Sequence, residues 1–100
     1  MKEEIKITID SIIHILSSNP TACRWVNPFE ALRGELDIDY DSALHSLRGL
    51  FGGMGSFNDL VLHQDGIPLR SENNELHELS DILYERLKAA ILSRRANTDL

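Results

Sequence analysis

The chain has 100 residues, 42% of them hydrophobic and 26% charged, with 16 acids against 10 bases for a net charge of −6. That length supports one domain with a single modest core, and the composition argues against a chain disordered throughout. The negative balance argues against general affinity for nucleic acid or anionic membranes, and the single cysteine, Cys23, allows neither an internal disulfide nor a thiolate metal cluster.

Met1 leads into Lys2, Glu3 and Glu4 rather than into a basic and then an apolar segment, which predicts no leader. No run approaches the roughly 18 apolar residues of a membrane span, so a cytoplasmic protein is expected. Over residues 3–18, Ile5, Ile9, Ile12, Ile13 and Leu16 trace one helical stripe, widened by Ile7 and Ile15. Asn19–Pro20 ends this helix, because the residue before proline avoids the helical region. Residues 20–27 read as a loop carrying Cys23, Arg24 and Trp25. Asn27–Pro28 then reads as an N-cap and first helical residue of a short helix over 28–34, with Phe29, Leu32 and Leu36 as its stripe and Gly34 at its end.

The segment "ELDIDYD" (35–41) sets Glu35, Asp37, Asp39 and Asp41 on alternate positions. A third helix over 40–51 follows, capped by Asp39 or Asp41, with Tyr40, Leu44, Leu47 and Phe51 toward the core and Gly52–Gly53 as its stop. "FNDLVLHQDGIPL" reads as a hairpin near 57–70 with its turn at Gln64–Asp65–Gly66, and Pro68 keeps the return strand short or at an edge. Caps and acids at Ser71–Glu75 open the last helix. Leu76, Leu79, Leu83, Leu87, Ala90 and Ile91 run down one face, with Ile82 and Tyr84 beside it. Arg94 and Arg95 close it, and residues 96–100 are expected as a frayed tail. The architecture expected is mainly α: a single domain over residues 1–95 of three main helices and one short helix, with one β-hairpin between the third and last helices.

Few residues carry a chemical signature. In "LFGGMGSFNDL" (50–60), Gly52, Gly53 and Gly55 follow a helix and precede a strand, the reverse of a phosphate loop, and no Lys–Ser/Thr pair follows. They read as a joint, with Ser56, Asn58 and Asp59 completing the turn by bonding back to nearby backbone. Asp37, Asp39 and Asp41 match the first positions of a calcium loop, but Ser42 stands where glycine is needed and Arg48 where glutamate is needed. His14, His45, His63 and His77 fall on different elements, so no metal or cofactor is expected. His77 and Asp81, four apart on the last helix, are spaced to touch. Neither Cys23 nor Ser56 has a nucleophile's local signature, and the chain is read as not an enzyme. A lone cysteine of this kind reads as a partly buried small hydrophobe. Trp25, beside Arg24, reads equally as an interface anchor or as a plug for one end of the core.

The block Phe51–Gly52–Gly53–Met54–Gly55–Ser56, running into Asn58–Asp59–Leu60 and followed by "NNELHELSDILYERL" (73–87), resembles a family of small uncharacterised bacterial proteins. The resemblance covers roughly the second half of the chain. It implies a single domain and a bacterial origin, without an activity. In size and charge the chain is similar to small immunity proteins encoded near toxins, an analogy only.

The function expected is therefore binding to another protein with a basic surface, most concretely as an immunity or antitoxin-like inhibitor. The docking residues would be Glu35, Asp37, Asp39 and Asp41, with Trp25 or Tyr40 as apolar anchor. Two other readings stand beside it. One is a small ligand-binding domain or enzyme using the glycine block with Ser56, Asn58 and Asp59. The other is a homodimeric structural or regulatory subunit, joined through exposed isoleucines of the first helix.

Overall fold

A computed structural model of the chain describes residues 1–52 and 56–98. Four α-helices carry it: α1 (Lys2–Ser17), α2 (Val26–Glu35), α3 (Tyr40–Arg48) and α4 (Arg70–Thr98). A 3₁₀ helix (Pro20–Trp25) joins α1 to α2, and another (Phe57–Asp59) precedes a two-stranded hairpin, β1 (His63–Gln64) and β2 (Ile67–Pro68). The mainly α architecture with one hairpin between α3 and the last helix is as expected.

The helix α4 is the spine. At about 1.5 Å per residue its 29 residues span about 43 Å, which makes the molecule elongated at 54 × 22 × 20 Å. Both α1 and α3 pack along α4, and α2 packs against α1 and α3. The core joins Ile5, Ile9, Ile12 and Leu16 of α1 with Phe29, Leu44, Leu47, Leu83 and Leu87, all at 1% exposure or less. The isoleucine stripe of α1 is thus spent on the core rather than exposed. Ile7 alone departs from the stripe and is 62% exposed.

Thr8 takes the buried place beside that stripe. Its hydroxyl donates to the Glu4 carbonyl at 2.8 Å and accepts from Arg86 Nη1 at 2.6 Å. The same guanidinium reaches the Glu4 carbonyl at 3.0 Å, tying α4 to α1. A buried hydroxyl with both roles filled avoids the cost of an unpaired polar group, which is why threonine is tolerated here.

Several boundaries differ from expectation. The 20–27 loop is helical: α2 follows directly on a 3₁₀ segment and starts at Val26, so Asn27 and Pro28 lie inside its first turn rather than at its cap. Proline is harmless there, since a first-turn N–H has no intrahelical acceptor. The helix α3 ends at Arg48, with Leu50 and Phe51 held in tighter turns to the Leu47 and Arg48 carbonyls. Cys23 is exposed rather than partly buried, and Ala22 fills the core beneath it. Ala96–Thr98 continue α4 instead of fraying.

The hairpin is minimal. Asp65 (φ 55°) and Gly66 (φ 81°) form a two-residue turn in the left-handed region, the geometry that matches strand twist and favours Asp-Gly. The register pairs His63 with Pro68 and Gln64 with Ile67. So short a ladder needs outside support, and Asn73 of α4 supplies it. Its Oδ1 accepts from Leu62 N at 2.7 Å and its Nδ2 donates to the Leu62 carbonyl at 3.0 Å. The Asn58 side chain, expected to secure the strand entry, lies outside the described residues, and Asp59 is exposed.

Candidate functional site

The acidic turn between α2 and α3 is closed by its own backbone. Asp37 N bonds to the Gly34 carbonyl, and Ile38 N and Asp39 N both bond to the Glu35 carbonyl, at 2.8–3.1 Å. Asp39 then caps α3, its Oδ1 accepting from Ser42 N at 3.2 Å. Asp37 faces α1: Lys6 Nζ donates to Oδ2 at 2.8 Å and Lys2 Nζ lies 3.3 Å from Oδ1. The hydrogen bond from Lys6, then that from Lys2, holds the Asp37 carboxyl below its ordinary pKa. Asp41 faces α4, where Arg94 grips both oxygens at 2.7 and 3.1 Å and lowers its pKa in the same way.

The four alternating acids therefore do not form one bare negative surface. Lys2, Lys6 and Arg94 stand against them, and the net field is weaker than the acid count suggests. What the bonds do achieve is rigidity. The turn is anchored to α1 through Asp37 and to α3 through the Asp39 cap, and within it Ile38 is 84% exposed. Glu35 is half-buried and Asp39 exposed on either side of it.

Neither expected anchor is free. Trp25 is half-buried, with its ring edge-to-face on Phe57 at 5.4 Å and the Arg24 guanidinium 5.8 Å from its centroid. Its indole N–H is buried without an acceptor, and its ring packs against the core. Tyr40 is also half-buried, under the Arg94 guanidinium at 5.6 Å, and burial raises its phenol pKa. Ile38 is the residue that the sequence reading passed over. Its signal is present: an isoleucine between two aspartates that no helical or strand stripe absorbs.

The described residues on either side of the glycine block are tied to each other by backbone. Phe57 N bonds to the Leu50 carbonyl at 2.9 Å, and Gly52 has φ +87°, a conformation that L side chains rarely adopt. Gly53 and Gly55 lie outside the described residues. Ser56 Oγ is buried with no hydrogen-bond partner. Beside Gly52 opens a cleft of about 600 Å³ walled by Phe51, Phe57 and Tyr84, with Arg48, His77 and Asp81 on its rim. Arg48 Nη2 donates to Tyr84 Oη at 3.2 Å, and Phe51 packs edge-to-face on both Phe57 and Tyr84. His77 and Asp81, spaced to touch, both line this cleft, and no ion pair joins them among the described residues. Among the described residues no three His, Cys, Asp or Glu side chains converge on a metal position, and no helix is long and apolar enough to cross a membrane.

Neither a curated protein nor a solved structure matches the chain. A family model does match, over residues 18–70, and that span holds the 3₁₀ segment, α2, the acidic turn, α3, the glycine block and the hairpin. The sequence resemblance had rested on residues 50–87, so the match adds the first half of this span and leaves out nearly all of α4. The chain belongs to the family defined by the domain of unknown function DUF6966.

Proposed function

We propose that this chain is a protein-binding module, most concretely a bacterial immunity-type inhibitor that covers a basic site on a partner toxin. The observation that supports this reading is Ile38, held 84% exposed in a turn tied to α1 by Asp37 and to α3 by Asp39. An apolar side chain on an already ordered turn loses little conformational entropy on binding, and a polar rim keeps water out around it. Glu35 and Asp39 supply that rim and favour a partner pocket edged by Lys or Arg. Because Lys2, Lys6 and Arg94 offset the carboxylates, affinity is expected to fall only modestly with salt.

The test begins with capture of a stoichiometric partner by the tagged chain at low salt. The affinity of that partner is then measured for Ile38→Asp and for the triple variant Asp37→Ala, Asp39→Ala, Asp41→Ala. Ile38→Asp is expected to weaken binding by about 2 kcal/mol or more, the size of a hot-spot loss, with an unchanged melting temperature. Full affinity in both variants would end the reading.

The aromatic cleft beside Gly52 favours a second reading, as a small-molecule site. Native mass spectrometry of the purified chain separates the two: a retained non-covalent adduct, displaced in Tyr84→Ala, supports the cleft.

A further inference from the structure

A second recess, of about 330 Å³, lies between α3 and α4 and shares Arg48 with the aromatic cleft. Its walls are His45, Arg48, Lys88 and Arg95, and its floor is Ile91 and Leu92, the latter 61% exposed. Three of the chain's ten cations thus converge on one hollow of a molecule whose net charge is −6.

Helix-terminus chemistry accounts for only part of this. His45 and Arg48 are in the last turn of α3 and Arg95 is in that of α4, where positive charge is favoured. Lys88 is ten residues short of Thr98, beyond the reach of that effect. Arg48 and Lys88 are instead positioned by one ring: each cation lies 5.4 Å from the Tyr84 centroid, and Arg48 also takes the phenol oxygen.

The carboxylates nearby leave the hollow positive. Asp41, whose field includes His45, is gripped by Arg94, and Glu85 makes a single exposed ion pair with Lys88 at 3.5 Å. Arg48 and Arg95 have no carboxylate partner among the described residues.

We propose that this recess binds a small phosphate-bearing molecule, its phosphate held by Arg48, Lys88 and Arg95 and its organic part laid on Ile91 and Leu92. Two guanidinium groups and an ammonium suit a multiply charged oxyanion better than a single carboxylate. The volume suits a small ligand rather than an extended chain. This inference does not depend on the partner-binding role of Ile38, which lies in the turn at the other end of α3.

The test is a ¹H–¹⁵N titration of the full chain with pyrophosphate and, separately, with ATP, at matched ionic strength. Saturable shifts confined to the amides around His45, Arg48, Lys88 and Leu92 are expected, with a Kd on the order of 1 mM or tighter. The double variant Lys88→Gln, Arg95→Gln leaves the Arg48–Tyr84 hydrogen bond in place and is expected to weaken binding about tenfold or more. Arg70→Gln, which removes a charge elsewhere, is expected to leave it unchanged. Tighter binding of ATP with added shifts at Leu92 would assign the floor to the organic part. Pyrophosphate alone saturating would limit the site to the free anion. Shifts that never saturate, that spread over all basic residues, or that persist in the double variant would overturn the proposal, as would binding only to a single-stranded oligonucleotide.

Discussion

Gly34 and Gly52 are the same residue type under opposite constraints. Gly34 lies in the last turn of α2, and a Cβ built there meets nothing within 4 Å. Gly34→Ala is expected to raise stability by about 0.4–1 kcal/mol, because alanine narrows the unfolded ensemble and favours the helix. Gly52 also has open space around it, yet its φ of +87° strains any L side chain. Gly52→Ala is expected to cost about 1–2 kcal/mol. Urea denaturation of the two variants checks both signs at once, and destabilisation by Gly34→Ala would show that more than backbone entropy decides that position. Thr8 and Ile7 make a related point about reading residues singly. Hydropathy ranks Ile7 as core and Thr8 as surface, but α4 lies against Thr8, and Arg86, 78 residues away, donates a hydrogen bond to its hydroxyl.

At the scale of elements, periodicity located α1 and α4 because each keeps one apolar face through several turns. It overran α3: Leu50 and Phe51 prolong the apolar stripe, although the backbone has already left the α-helix at Gly49. The hairpin turn was legible from Asp65–Gly66 alone, since few dipeptides accept two positive φ values. Its support was not, because Asn73 sits eleven residues from Leu62 and resembles an ordinary helix-start asparagine. The candidate site suffered most from this limit. The acids of the turn were visible, but their partners come from 31 and 53 residues away, and those partners decide which side chain is left exposed. Asn73→Ala removes both bonds to Leu62 and leaves its part-buried backbone groups unpaired, at an expected cost of about 1–3 kcal/mol. Amide exchange localises the effect: Leu62 and Leu69 are expected to lose protection, while the α1 amides change only with global stability. Equal loss of protection throughout the chain would mean that the hairpin does not open as a separate unit.

Across the whole molecule, three carboxylates join the four helices side by side. Asp10 of α1 takes Arg33 of α2, Asp37 takes Lys2 and Lys6 of α1, and Asp41 of α3 takes Arg94 of α4. Every carboxylate is exposed, so each pair is a modest and salt-screened contribution, but they act together on an elongated body with a narrow core. The folded-state pKa values of Asp37 and Asp41 are lowered by the hydrogen bonds from Lys6 and Arg94. A lowered carboxyl pKa means that the unfolded chain takes up protons first as pH falls. The stabilisation is therefore fully present above the unfolded value of about 3.9 and is lost below it, as pH passes through the folded values. The double variant Asp37→Asn, Asp41→Asn is expected to melt below the parent chain at neutral pH. As pH falls below about 4 the two melting curves should converge, because the parent then carries neutral carboxyls at the same places. Added salt at neutral pH should narrow the gap as well. Melting temperatures that stay parallel from neutral to acid pH would mean that these bridges only arrange the surface, and that the Ile38 turn is held in place by its backbone bonds and the Asp39 cap alone.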